Sequence, residues 1–371
     1  MASVVPALPL LSRSLDADYA SLQFVVSAYL FGLALFQPLQ GLLSDRYGRK
    51  PVLIGGFTLF LLASVLATFA DSLAALVIAR FLQAMGVSVA TVVTRAIVRD
   101  AFEPGPAATA LSFITAVMGV APVLAPLVGG LASEWLGWRG IFGLHVVLAA
   151  ALLLLLSLRL KESRPIDTIP MSFSQLIGGG KTLLKKPLFM GHSLCYSFVS
   201  ASGFIFITIG AALYEKLYRM SSADFGLMWS GLAVSYVLGA TTAGTLARSQ
   251  GAGRTQKIGM SCNVVATSLF VVAAFSTAPS LWLFSGSLAL LMFANGVISP
   301  IALSGAVADY PELAGVAAGL SSSLAMIVSM ISTVVTGFVY DGAAEGPALL
   351  MSLACLASWS AMRMALGAQR R

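Results

Sequence analysis

Four stretches of this sequence place charge or backbone constraint where a chemical use follows. The first is Gly41-Leu42-Leu43-Ser44-Asp45-Arg46-Tyr47-Gly48-Arg49-Lys50, followed by Pro51. Gly48 can adopt positive φ and Pro51 suits the first turn of a helix, so the stretch reads as a tight turn between two helices. One carboxylate and three cations crowd that turn. A purely topological anchor needs the cations but not Asp45 or this spacing. The second stretch is Leu76-Val-Ile-Ala-Arg80-Phe-Leu-Gln83-Ala84-Met-Gly86, which puts one cation inside an apolar run. Arg80 either faces an interior partner or snorkels to the outer interface near Asp71. The third, Ala121-Pro122-Val-Leu-Ala125-Pro126-Leu-Val-Gly129-Gly130, interrupts the hydrogen-bond ladder twice and leaves a flat face, for helix packing or for simple kinking. The fourth is a scatter of polar, aromatic and sulfur side chains within apolar runs: Tyr29, Gln37, Met118, Tyr196, Phe204, Phe206, Trp229 and Asn295. Such a set can line a cavity for varied apolar ligands or serve helix packing.

The elements that must hold these residues are membrane spans. Of 371 residues, 58% are hydrophobic and only 10% charged, against about 25% charged in a soluble domain. Mean hydropathy is +0.91. Apolar runs of about 20 residues, the length that crosses a bilayer core, recur along the whole chain. No period-2 alternation marks a barrel, so the spans are helical and the fold is an all-α polytopic membrane protein. The spacing predicts spans over 24–43, 52–69, 73–93, 111–131, 141–158, 189–213, 225–246, 257–275, 281–302, 316–340 and 347–364. Residues 2–11 form a further apolar piece of about half a span.

The longest polar break, 159–186, holds Arg159, Lys161, Arg164, Lys181, Lys185 and Lys186 and a Gly178-Gly179-Gly180 run. It divides the chain into an N-terminal bundle (1–158), a linker (159–186) and a C-terminal bundle (187–371). Most of the 22 Lys and Arg residues fall on the side that carries this linker. They include Arg46, Arg49, Lys50, Arg95, Arg99, Arg248, Arg254, Lys257, Arg363, Arg370 and Arg371. The positive-inside rule makes that side, with the C-terminus, cytoplasmic. The two halves repeat. Gly244-Thr-Leu-Ala-Arg248-Ser-Gln-Gly251 copies the spacing of Gly41 to Gly48, with Arg248 in place of Asp45. An internal repeat of two helical halves is a transporter architecture with its substrate site between the halves.

The Gly41–Lys50 stretch resembles the hallmark loop of the major facilitator superfamily, and the stretches around Arg80 and Pro122 resemble that family's fourth- and fifth-helix motifs. Pro6-Ala-Leu-Pro9, Arg95-Ala-Ile-Val-Arg-Asp100, Gly137-Trp-Arg139 and Asp309-Tyr-Pro-Glu-Leu-Ala-Gly315 narrow the likeness to the bicyclomycin/chloramphenicol-resistance branch of the drug:proton antiporters. The resemblance implies two six-helix bundles, the first helix cut short. It implies a cytoplasmic gate, a latch of acid and base pairs, built from Gly41, Asp45, Arg46, Gly48, Arg49, Lys50 and Asp100, with Asp45 near the N-terminus of the 316–340 helix and Arg49 paired with Asp100 or Glu103. Proton coupling at Arg80 and Gln83 and an exporter motif at Pro122, Pro126, Gly129 and Gly130 also follow from it. Ala84, Ala121 and Ala125 depart from the family's usual glycines. What it implies for function is proton-driven efflux of small amphipathic compounds across a bacterial inner membrane, by a monomer that needs no cofactor beyond the proton gradient.

Other readings are a same-fold carrier of a small polar metabolite and a non-transporting sensor or scaffold. A polar cargo would call for more intramembrane charge than Arg80, and no loop is long enough for a signalling domain. Cys195, Cys262 and Cys355 lie singly, and His145 and His192 are far apart, so metal and nucleophile motifs are absent. The basic residues sit at span ends, which argues against nucleic acid as a partner. None of the 15 Asp and Glu residues falls mid-span, although proton coupling calls for a buried titratable group. The branch resemblance places an acid a few positions before Pro6. The expectation is that about ten or more upstream residues complete the first helix and supply that acid.

Overall fold

The computed structural model describes residues 1–165, 172–277 and 279–369, with the side chains of 104, 108, 112, 115, 116 and 369 outside the description. Asp167, Arg370 and Arg371, three of the charges weighed above, lie outside the described residues. All regular structure in the described residues is helical. A 3-10 turn (Val5–Ala7) leads into the short α1 (Leu8–Ser14). The long helices follow: α2 (Tyr19–Tyr47), α3 (Arg49–Thr68), α4 (Leu73–Ala101) and α5 (Pro104–Arg159). After α6 (Phe173–Leu184) come α7 (Pro187–Tyr218), α8 (Ser222–Gln250), α9 (Ala252–Ala274), α10 (Leu281–Ala308), α11 (Ala314–Val339) and α12 (Glu345–Gln369).

Among the described residues, ten helices are long and apolar enough to cross a membrane. Helix α5 reverses at Gly137, whose φ of 69° and ψ of 175° are non-helical. Its first arm climbs away from the linker and its second returns, where Lys50 Nζ donates to the Ser157 carbonyl at 3.1 Å. The large hydrophobic residues left exposed, such as Leu152, Leu154 and Leu155, are what a lipid-facing surface presents.

Local chemistry sets the helix ends. Asp18 caps α2 through the Ser21 amide at 3.3 Å, and a Ser221–Asp224 capping box starts α8. Gly48 ends α2 at φ 100°, ψ 157°, and Gly251 ends α8 at φ 83°, ψ 154°. The same backbone geometry at both copies of the sequence repeat gives each half one sharp turn at the same place. The segment expected to be linker contains a helix, α6, started by a Ser172–Gln175 capping box. The Gly178–Gly180 run lies inside it. Gly179 and Gly180 leave α6 room to lie against Leu313, Val316 and Leu320 of α11 and the turn before it.

The two bundles touch at more than one level. At the end away from the linker, the bundles touch directly. Tyr19 Oη donates to the Thr208 carbonyl at 2.6 Å, the Tyr19 and Tyr340 rings lie 5.2 Å apart, and Arg13 pairs with Glu215. Nearer the linker, Ser323 Oγ donates to the Ala34 carbonyl at 2.9 Å.

Candidate functional site

At the linker end, the expected gate residues form one cluster. Arg49, only 6% exposed, donates from Nε to Asp100 Oδ2 at 2.8 Å and from Nη1 to Ser44 Oγ at 2.7 Å, and it pairs with Asp45 one turn back. Asp100 is thus its inter-helical partner, while Glu103 stays exposed at the start of α5. The Asp45 carboxylate is held by Arg49. Arg46 lies over the Tyr47 ring. In the second copy of the repeat, Arg248 is in no ion pair among the described residues.

Two linker residues that sequence reasoning left as plain charges complete this cluster. Glu162 accepts the backbone N–H groups of Arg49 at 2.9 Å and Lys50 at 3.1 Å, and those of Ser163 and Arg164 at 3.0 and 2.9 Å. It therefore caps α3 from outside the helix, where the dipole favours an anion. Burial alone would raise its pKa. The backbone N–H donors, that of Arg164 foremost, outweigh burial and hold the carboxyl below its usual range. Arg164 Nη1 donates to the Asp45 and Arg46 carbonyls at 3.1 and 2.7 Å, capping the opposite-signed end of α2. Gly48 is required between them, because its φ of 100° is a backbone conformation that a residue with a Cβ rarely adopts. An acid and a base two residues apart just past a span were the only signal in the sequence.

Within the N-terminal bundle, Arg80 is 1% exposed, so it faces the interior and does not snorkel. Its partners are uncharged. Nη1 donates to Gln83 Oε1 at 2.7 Å, Nε to the Val25 carbonyl at 3.4 Å, and the guanidinium lies 4.2 Å from the centre of the Tyr29 ring. Gln83 in turn donates to Ser64 Oγ at 2.8 Å, tying α4 to α3. Tyr29, expected as a cavity residue, is thus the platform for Arg80. Among the described residues no carboxylate joins this group. His145 sits close by, with Nε2 3.2 Å from Ser3 Oγ.

Pro122, Pro126, Gly129 and Gly130 lie on the first arm of α5, and Pro126 and Gly130 meet α8. A methyl group on Gly226 of α8 would lie 2.5 Å from the Pro126 carbonyl oxygen and 3.3 Å from Gly130 Cα. One on Gly130 would strike the Ser222 carbonyl, and one on Gly129 the Ser3 carbonyl. Backbone touches backbone across the two bundles here.

The expected cavity residues do not share one space. Phe206 and Trp229 stack at 5.5 Å inside a closed aromatic cluster with Tyr214, Phe225 and Phe284. Asn295 accepts from Asn263 at 2.9 Å and donates to Ser202 at 3.1 Å, joining α7, α9 and α10. Gln37 donates to Thr91 at 3.0 Å, joining α2 to α4. Tyr196 and Phe204 are half-buried, and Met118 is exposed.

A family model described as Major Facilitator Superfamily matches residues 1–366. A Bacillus subtilis (strain 168) protein named uncharacterized MFS-type transporter YdgK is 34% identical over 63% of this chain, and the match spans 60% of that relative's length. Multidrug resistance protein D of Escherichia coli (strain K12) is 29% identical, covering 94% of this chain and 87% of the relative. A chloramphenicol resistance protein of Pseudomonas aeruginosa is 28% identical, covering 84% and 74%. Among solved structures, a bacterial homolog of the human lysosomal transporter Spinster superposes over 100% of this chain and 92% of its own, with a TM-score of 0.80 at 17% identity. The D-xylose-proton symporter does so over 96% and 93%, with a TM-score of 0.76 at 17% identity.

Proposed function

We propose that this chain, which belongs to the major facilitator superfamily of membrane transporters, exports small amphipathic compounds in exchange for protons by alternating access. Its place is a bacterial inner membrane, with the linker end and C-terminus in the cytoplasm. The observation that carries the reading is the seam between α5 and α8. Pro126, Gly130 and Gly226 bring two helices of different bundles into backbone contact at the end away from the linker. Such a seam closes that end to water and small ions while leaving the bundles free to rock as bodies. Relatives named for multidrug and chloramphenicol resistance support efflux as the direction and drugs as the cargo class.

In this mechanism the structure is the state closed on the outer side. Tyr19, Tyr340 and the Arg13–Glu215 pair sit on the outer rim of the seam. The Arg49–Asp45–Asp100 cluster, stapled by Glu162 and Arg164, keeps the α2–α3 turn rigid, so that its motion follows the N-terminal bundle. Arg80, buried among neutral partners, supplies a fixed positive potential beside which a carboxyl group or a cationic cargo changes its proton affinity.

A drug-susceptibility panel in an efflux-deficient host, with and without an uncoupler, tests the proposal. Raised resistance to several amphipathic compounds, abolished by the uncoupler, is the expected result. Resistance that survives collapse of the proton gradient overturns the coupling. No change in susceptibility, paired with uptake of a polar metabolite into vesicles, overturns the cargo.

A further inference from the structure

Helix α6 has three faces, and transport as described uses one of them. Leu176, Gly179, Gly180 and Leu183 pack toward α11 and the turn before it, with Leu183 fully buried. Next to this face lie Phe173, Ile177 and Leu184, at 61%, 43% and 44% exposure. At 100° per residue these three fall within about 40° of one another, so they form a stripe along the helix rather than a scatter. Beyond the stripe come Lys181 and Lys185. With Thr182 and Lys186 they line an open groove of about 290 Å³. Among the described residues none of the three lysines is in an ion pair.

We propose that this groove binds the phosphate headgroup of an anionic phospholipid, with the Phe173–Ile177–Leu184 stripe set into the bilayer surface beside it. The inference goes beyond the transport reading and does not depend on the cargo. The arrangement is that of a helix lying in the interface plane: an apolar stripe for the acyl boundary, flanked by cations whose long stems reach the headgroup layer. Charge complementarity selects the occupant, since three ammonium groups in no ion pair among the described residues call for an anion with several oxygens. The adjoining apolar stripe selects an anion that carries acyl chains. Because another face of α6 rests on α11, which also packs on α2, a lipid bound to α6 would be linked through that helix to α11.

The test uses the purified full chain in neutral-headgroup detergent micelles, titrated with phosphatidylglycerol, phosphatidylcholine or inorganic phosphate and read by native mass spectrometry. Each lysine near an anionic lipid surface favours binding roughly fivefold. Lys181→Gln/Lys185→Gln/Lys186→Gln is therefore expected to weaken phosphatidylglycerol binding by at least about tenfold. Arg254→Gln/Lys257→Gln, which removes two exposed cations from the start of α9, should leave it unchanged. Ile177→Ser/Leu184→Ser should weaken it while all the charges remain. In the unaltered chain, raising the salt concentration should release the lipid, a readout that needs no variant to fold. Equal binding by the triple variant and the unaltered chain overturns the proposal, and so does an equal loss in the Arg254/Lys257 variant. Inorganic phosphate binding as tightly as phosphatidylglycerol makes the groove a free-anion site and overturns it too.

Discussion

Replacing Gly226 with alanine tests the seam on which the transport reading rests. The added methyl carbon would sit 2.5 Å from the Pro126 carbonyl oxygen, 3.2 Å from its carbon and 3.3 Å from Gly130 Cα. All three are backbone atoms, so no rotamer change relieves the clash. Ordinary contact begins near 3.4 Å, which means α5 and α8 must part by about 1 Å. Overpacking of this kind costs roughly 1–3 kcal/mol. The cost falls only on the state in which the seam is closed. The equilibrium between the two access states should therefore move toward the outward-open form by roughly 5- to 150-fold. Gly231→Ala supplies the control, since it lies on the same helix with nothing within 4 Å of the new methyl group. The assay is the labelling rate of Thr208→Cys by an impermeant maleimide added from outside, with Cys195, Cys262 and Cys355 replaced by serine. Thr208 is buried at the closed outer rim. Gly226→Ala should speed labelling by a factor in that range and Gly231→Ala should not. If both label at the parental rate, the seam does not govern outer access and the reasoning fails.

Three further outcomes follow from the geometry. Arg80→Ala leaves Gln83 Oε1 without its charged donor and should cost about 1.5–3 kcal/mol of stability, more than Arg80→Lys, which keeps a cation near Tyr29; thermal unfolding of the two variants in detergent should rank them so, and an Arg80→Ala protein as stable as the parent refutes the network. Glu162→Gln should raise hydrogen exchange at the Arg49 and Lys50 amides by on the order of two- to fivefold, and unchanged exchange there removes Glu162 as the cap of α3. Because the folded pKa of Glu162 is lowered, its contribution is fully present above the usual value of 4.5 and is lost as pH falls through the lower folded value, so acidification through that window should mimic Glu162→Gln in the same exchange measurement. Asp45→Asn keeps the shape of the Arg49 pocket but removes one of its two carboxylate partners, so export from vesicles should fall while expression holds; full export in that variant rules out a role for the charge.

Hydropathy located the spans because lipid imposes it residue by residue. It stopped short at their ends, because helices continue past the bilayer. Helix α2 runs through Ser44, Asp45 and Arg46 to Gly48, beyond the apolar stretch that marks it. The turn at Gly48 and its copy at Gly251 were legible for another reason. Positive φ is nearly confined to glycine, so backbone geometry is written in the residue type. The same holds for the reversal near Gly137, which separates two apolar runs. Helix α6 was hidden because three consecutive glycines argue against a helix on propensity alone. Its packing on Leu313, Val316 and Leu320 overrides that propensity, and the glycines are what permit the packing.

The pairings were the least legible part, and Arg80 shows why. A buried cation announces that it needs compensation, and the natural expectation is a carboxylate. Compensation here is distributed over a tyrosine face, a glutamine oxygen and a main-chain carbonyl. Each is weak alone and none is marked by charge. Tyr29 stands a helix away in sequence and becomes a partner only because α2 and α4 cross at that depth. Arg49 is the contrasting case. Its partner Asp100 is one of the two acids that the loop resemblance offers, whereas the resemblance puts Asp45 near the N-terminus of the 316–340 helix and only the structure pairs it with Arg49. Glu162 satisfies amides instead of a cation, so nothing in its residue type betrayed the role. An acid such as Asp100 can thus be anticipated for a cation from formal charge, whereas partners that act through dipoles, ring faces and backbone groups emerge only when the helices are placed side by side.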